Sequence, residues 1–281
     1  MIEAAASEPR PRFLDLFAAS CAAHDSHLCV GLDPDLDGLP AGFEPTPDDV
    51  LRFVTAIIEA TAEFAAAYKP NSAFYEALGP PGMEILEAVI AAAPAGTPVI
   101  LDAKRGDMAN TAERYATACF DRLGASAVTL SPYVGGDSLE PFLRRADRGC
   151  FILCRTSNPG ADDLQLLEIG DRPLYLEVAR RCHQWNSRGN VGIVAGATRP
   201  NDLAAARREC PGMPILVPGV GAQGGDLESA TAAAAGDDRD QPFVIAASRS
   251  ITAAGRDHDF QHAAAAAADD LRQRINGVMA G

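Results

Sequence analysis

Eight short apolar runs recur along this chain with helix-length segments between them: HLCVGLD (27–33), AAYKPN (66–71), PVILDAK (98–104), AVTLSP (127–132), CFILCRTS (150–157), NVGIVAG (190–196), PILVPGV (214–220) and FVIAAS (243–248). Runs that are apolar at nearly every position suit strands covered on both faces, the condition of a parallel sheet flanked by helices. Eight strand–helix units predict an α/β fold, a closed (β/α)8 TIM barrel, which routinely takes about 250 residues as one unit. An open doubly wound sheet has the same alternation and is the structural alternative.

The segments between the runs carry helix signals of their own. Asp48-Asp49 opens a helix over 48–66, NTAERYATACFDRL forms another, and PLYLEVARRCHQWNSRG ends at Arg-Gly. A further helix over 11–23 precedes the first strand. The run SATAAAAGDDRDQP (229–242) gives a helix end and an exposed loop, and AAAAAADD (263–270) a surface helix. Residues 1–10, with two prolines and no periodicity, form a flexible N-terminal tail, leaving 11–281 as a single barrel domain.

With 281 residues, 47% hydrophobic and 22% charged, the chain has the composition of a globular protein with a sizeable core. A formal net charge of -14 argues against nucleic acid or an anionic membrane as partner, because both require a basic footprint. The seven cysteines are scattered, odd in number and without a C-x-x-C pair, which points to reduced thiols rather than a disulfide framework or a zinc site. No uncharged apolar run reaches 18 residues without Gly or Pro, and no apolar segment follows a basic start. The expected location is cytoplasmic.

In barrels of this kind the active site lies at the C-terminal ends of the strands. The polar residues that close the eight runs are Asp33, Lys69, Asp102 and Lys104 with Asp107 beyond, Ser131, Ser157, Gly219 and Gly221 with Gln223, and Ser248-Arg249-Ser250. Asp102 and Lys104 are two apart on a strand and therefore face the same way, toward the mouth. With Lys69 from the preceding strand and Asp107 in the following turn they make two lysines and two carboxylates of alternating sign, each able to keep its charge among opposite neighbours. A structural salt-bridge network at the rim is the bland alternative. Two lysines with buried stems at a catalytic rim favour function, since such burial is costly.

The glycine-rich PGVGAQGG (218–225) after the seventh run, and Arg249 after the eighth, fall where barrels commonly bind phosphate through backbone N–H groups and a fixed cation. His24, His27, His183, His258 and His262 lie in helices or before strands and suit packing or surface roles, as does Trp185. With no His/Asp/Glu cluster at the strand ends, no metal site is expected.

These motifs, in this order, resemble the orotidine 5′-monophosphate decarboxylase family from about Leu28 to Ile251: Asp33, Lys69, D-x-K-x-x-D with Asn110-Thr111 behind it, Ser157 in T-S-N-P-G, and P-G-V-G-A-Q-G-G followed by S-R-S. Arg105-Gly106 inside the motif and Pro34 after Asp33 depart from the familiar branches and resemble a divergent bacterial one. The resemblance implies conversion of orotidine 5′-monophosphate to UMP without metal or cofactor. Lys104 would protonate C6 as carbon dioxide leaves, Asp102 would stand against the substrate carboxylate, and Lys69 and Asp107 would complete the array. It implies ribose contacts from Asp33 and Lys69, a pyrimidine contact from Ser157, phosphate contacts from Gln223 and Arg249, and further substrate-binding roles for Pro218 and Ser248. It also implies a homodimer in which Asp107, Met108 and Thr111 reach the neighbouring subunit's site.

Three rivals share parts of this pattern. A Mg²⁺-dependent sugar-phosphate barrel carries the same D-x-K-x-x-D, but typically a glutamate where this chain has Lys69. A catalytically silent nucleotide-binding barrel would tolerate loss of the charged residues, and all four are present. Phosphate barrels of tryptophan or histidine synthesis share the phosphate site but lack the alternating Lys/Asp array.

Overall fold

A computed structural model describes residues 11–220, 224–237 and 239–281. The expected tail, Gly221 and Gln223 lie outside the described residues. All eight runs form strands: β1 (Leu28–Gly31), β2 (Ala67–Lys69), β3 (Ile100–Arg105), β4 (Ala127–Leu130), β5 (Gly149–Arg155), β6 (Val191–Ala195), β7 (Ile215–Val217) and β8 (Phe243–Ala247). They pair in parallel in the order β2-β1-β8-β7-β6-β5-β4-β3. The two ends of that sheet meet: Tyr68 N–H donates to the Pro98 carbonyl at 3.0 Å and Asp102 N–H to the Pro70 carbonyl at 2.9 Å. A sheet whose first and last strands join is a barrel, and the open alternative falls away.

Two cores follow from the alternation of side chains along each strand. Val30, Tyr68, Leu101, Val128, Ile152, Ile193, Val217 and Ile245 face outward and pack against the helices. Cys29, Ala67, Ile100, Ala127, Phe151, Val194, Leu216, Val244 and Ala246 fill the interior, together with Phe13 and Phe17. The phenylalanines come from the N-terminal helix, Phe13–His24. Phe13 meets Phe151 edge to face with ring centroids 5.8 Å apart, so this helix plugs the N-terminal end of the barrel. Gly149 makes room for it, since a Cβ there would stand 2.6 Å from the Phe13 ring.

Three expectations about helices are corrected. The helix expected over 48–66 is Pro47–Thr61, capped by the Thr46 hydroxyl, which accepts the Asp49 N–H at 3.3 Å. It stops early because Ala65, Ala66 and Ala67 are drawn into the barrel wall and its interior. The segment NTAERYATACFDRL divides into an α-helix, Ala109–Ala116, and a π-helical stretch, Thr117–Arg122. The alanine-rich 263–270 lies within the long helix Phe260–Ala280 and is surface on one side only, with Ala264 and Ala268 buried.

Between β5 and β6 the chain adds a small antiparallel hairpin, Glu168–Ile169 with Arg172–Pro173, which the strand pattern does not reveal. Its strands are two residues long and lie outside the core, so they leave no apolar run. His24 and His27 lie at the N-terminal end of the barrel, away from the mouth. His27 stacks on Phe243 at 4.4 Å between ring centroids. Among the described residues no helix is long and apolar enough to cross a membrane.

Candidate active site

The alternation that puts Cys29, Ala67, Ile100, Ala127, Leu216 and Ala246 inside the barrel also decides what lines its mouth. Counting on by twos from these residues reaches Gly31 and Asp33, Lys69, Asp102 and Lys104, Thr129, Pro218, and Ser248. All of these line one cavity of about 570 Å³ at the strands' C-terminal ends, where Ser157 and Arg249 also lie. At its floor β1 and β8 approach closely at Gly31, where a Cβ would stand 2.6 Å from the Ser248 Cβ.

Asp102 stands at the centre of the charged cluster. Lys69 Nζ donates to Asp102 Oδ2 at 3.1 Å, Lys104 Nζ to Asp102 Oδ1 at 2.7 Å, and the Thr129 hydroxyl to Asp102 Oδ1 at 2.9 Å. Burial would raise the Asp102 pKa, but the two lysines and these hydrogen bonds outweigh it and hold the carboxyl at about 2. Lys69 is 7% exposed. Burial works against its charge, yet Asp102 and Asp33 raise its pKa above the ordinary lysine value. Lys104 is the open member, with nearly half its side chain exposed toward the cavity.

The remaining mouth residues are spread around the rim. Asp33 Oδ1 accepts the Asn71 N–H at 3.0 Å, and the Asn71 side chain in turn accepts the Ala73 N–H at 3.2 Å to cap the short helix Ser72–Glu76. Ser157 lies over β7, its hydroxyl 3.4 Å from the Pro218 carbonyl. Its loop is anchored by Arg155, whose buried guanidinium donates to Asp202 at 2.8 Å and to Asp162 at 2.6 Å. Gly219 adopts a φ of +98°, and its carbonyl accepts the Gly225 N–H at 3.1 Å. Arg249 is exposed at the mouth and opens the short helix Arg249–Thr252. The Ser248 hydroxyl is buried without a hydrogen-bond partner among the described residues.

The structure brings together three of the four charged residues singled out by the sequence, and Asp107 is not one of them. The chain leaves the barrel at Gly106, packed against Ser131, and Asp107 Oδ1 accepts the neighbouring Met108 N–H at 2.7 Å. Asp107 makes no ion pair among the described residues. Met108 is 64% exposed, Thr111 is exposed, and neither lines the cavity. Ser131 is also displaced from the mouth: its N–H donates to the Arg105 carbonyl at 2.8 Å, and it does not line the cavity. Thr129, two residues earlier, does. Sequence reasoning passed over it by taking the last polar residue of the run instead of counting the inward positions from Ala127. Asn71 and Phe74 line the cavity too, from the helix that follows β2.

A closed barrel with its charged residues gathered at the strands' C-terminal mouth is a (β/α)8-barrel enzyme. Comparison with known proteins narrows the class. Residues 26–266 match the model of the orotidine 5′-phosphate decarboxylase / HUMPS family. The chain is 52% identical over 272 residues to the orotidine 5′-phosphate decarboxylase of Roseiflexus castenholzii, covering 95% of this chain and 98% of that protein. It is 50% identical over 255 residues to that of Herpetosiphon aurantiacus, covering 90% and 93%. Among solved structures, Leishmania donovani OMP decarboxylase superposes with a TM-score of 0.85 at 43% identity, covering 96% of this chain and all of that one. The chain belongs to the orotidine 5′-phosphate decarboxylase family and is a carboxy-lyase.

Proposed function

We propose that this protein converts orotidine 5′-monophosphate to UMP and carbon dioxide, the last step of de novo pyrimidine nucleotide synthesis, with neither metal nor organic cofactor. The observation that carries this reading is Asp102, kept ionised between Lys69 and Lys104 on the inner face of the mouth. Alignment over at least nine-tenths of both chains with relatives named for the reaction supports it.

In this reading the bond from C6 to the carboxylate breaks and its electron pair stays on C6. That carbon takes a proton from the Lys104 ammonium, carbon dioxide departs, and solvent reprotonates the lysine. Asp102 stands beside the substrate carboxylate, and its repulsion is relieved as the carboxylate becomes neutral carbon dioxide, which lowers the barrier relative to the bound substrate. The fixed charges do the work a carbanion-stabilising cofactor would otherwise do. Lys69 and Asp33 bind the ribose hydroxyls and Ser157 the pyrimidine edge. Pro218, Gln223, Ser248 and Arg249 receive the rest of the nucleotide, with Gln223 and Arg249 on the phosphate. The orphaned Ser248 hydroxyl is a donor awaiting such a partner.

We infer a homodimer in which Asp107, Met108 and Thr111 complete the second copy's site. Their outward placement supports this, as does Tyr133 on the neighbouring loop, 83% exposed. Residues 11–281 would act as one catalytic unit. A cytosolic location is supported by the free state of all seven cysteines.

Replacing Lys104 tests the chemistry. Lys104→Ala is expected to lower kcat by roughly 10³-fold or more while the circular dichroism spectrum and UMP affinity stay near wild type. Turnover like that of wild type would remove Lys104 as the proton donor.

A further inference from the structure

Lys104 does not sit in a regular strand. Its φ is +48°, a left-handed backbone that a residue with a Cβ adopts only under constraint, and the β3–β4 pairing shifts register between Leu101 and Arg105. Within this irregular stretch the Lys104 ammonium lies 2.7 Å from Asp102 Oδ1. A left-handed residue inside a strand is held by what surrounds it.

That support comes from one hydroxyl on the next strand. Thr129 Oγ1 accepts the backbone N–H of Lys104 at 2.9 Å and donates its own hydrogen to Asp102 Oδ1 at 2.9 Å. A hydroxyl has one donor and two acceptor sites, so a single side chain serves both ends of the Asp102–Lys104 pair. Thr129 is 1% exposed, and it is the inward residue of β4 nearest the mouth. On the far side of the bulge the Arg105 carbonyl accepts from Ser131 N–H at 2.8 Å, and the Arg105 guanidinium pairs with Glu76 at 2.7 Å. Those contacts anchor the strand's exit, but among the described residues only Thr129 hydrogen-bonds both the backbone of Lys104 and the carboxylate of Asp102.

We propose that Thr129 is a positioning residue for the decarboxylation: by taking the Lys104 amide hydrogen and giving its own to Asp102, it sets the register in which the ammonium and the carboxylate meet. It acts through these two residues. The inference rests on the decarboxylase reading above. Valine has the same shape without the hydroxyl, so it would orphan a buried N–H, remove one donor from Asp102 and leave the packing of β4 unchanged.

The test compares wild type, Thr129→Val and Thr129→Ser in steady-state decarboxylation of orotidine 5′-monophosphate, with the thermal midpoint of each. The Val enzyme is expected to lose about 10- to 100-fold in kcat, the scale of a sub-ångström to ångström misplacement of reacting groups. Its KM should stay within about threefold and its midpoint within a few degrees, and the Ser enzyme should recover kcat to within about threefold of wild type. If the Val protein does not fold, Thr129→Ala against Thr129→Ser makes the same comparison. Full turnover without the hydroxyl would overturn the proposal, as would a Ser enzyme no better than the variant lacking it, since the methyl group and not the hydroxyl would then matter. A wild type that does not decarboxylate this nucleotide would instead overturn the parent reading, and this inference with it.

Discussion

Asp102 makes the stability of the barrel mouth depend on pH. Its pKa of about 2 lies below the ordinary aspartate value of about 3.9. A group whose folded pKa is depressed contributes stability that is fully present above the unfolded value and is lost as pH falls through the folded one. The window is therefore about pH 4 down to about pH 2, and the contribution at neutral pH is roughly 2 kcal/mol. Asp102→Asn should be less stable than wild type to urea at pH 7, because it leaves buried Lys69 without its partner. That difference should shrink by roughly half at pH 3. A difference independent of pH would mean that the carboxylate is not held by the lysines. The orientation of Asp102 and Lys104 was legible from their spacing of two on an apolar run. The place of Thr129 was not, nor was the absence of Asp107 from the cluster within its own chain. Thr129 is distinguished from Ser131 only by where β4 ends, and Asp107 turns away because Gly106 carries the chain out of the barrel, which a motif does not encode.

Elements as wholes were legible where burial on both faces left long apolar runs, which is why six of the eight strands fall inside the expected segments and the other two, Ile100–Arg105 and Gly149–Arg155, overrun them by one residue. Helix ends were less so, because Thr61 and Ala65 differ in fate through what the barrel needs next rather than through their own propensities. The N-terminal helix was foreseen as a helix but not as a plug. Phe13 enters the barrel where β5 begins with Gly149, which leaves room for its ring. Phe13→Ala should therefore cost about 3–5 kcal/mol, a fall of roughly 10 °C in thermal midpoint, with kcat at 25 °C unchanged because the plug lies at the opposite end from the mouth. An unchanged midpoint would show that the helix is not integral to the barrel core.

At the scale of the whole molecule the site of one chain lacks the second carboxylate that the sequence motif supplies. If a second copy provides Asp107, then Lys104→Ala and Asp107→Ala are each nearly inactive alone, yet mixing them under exchanging conditions restores activity. Random pairing of two variants leaves about a quarter of all sites with both residues intact, so about a quarter of wild-type turnover should return. No recovery in a mixture proven to exchange would confine each site to its own chain. The most direct measurement of all follows absorbance on adding orotidine 5′-monophosphate to the purified protein in excess EDTA. Rapid conversion to UMP is the predicted result. No conversion until Mg²⁺ is restored, or activity only on a sugar phosphate, would contradict decarboxylation by a fixed array of lysines and aspartates.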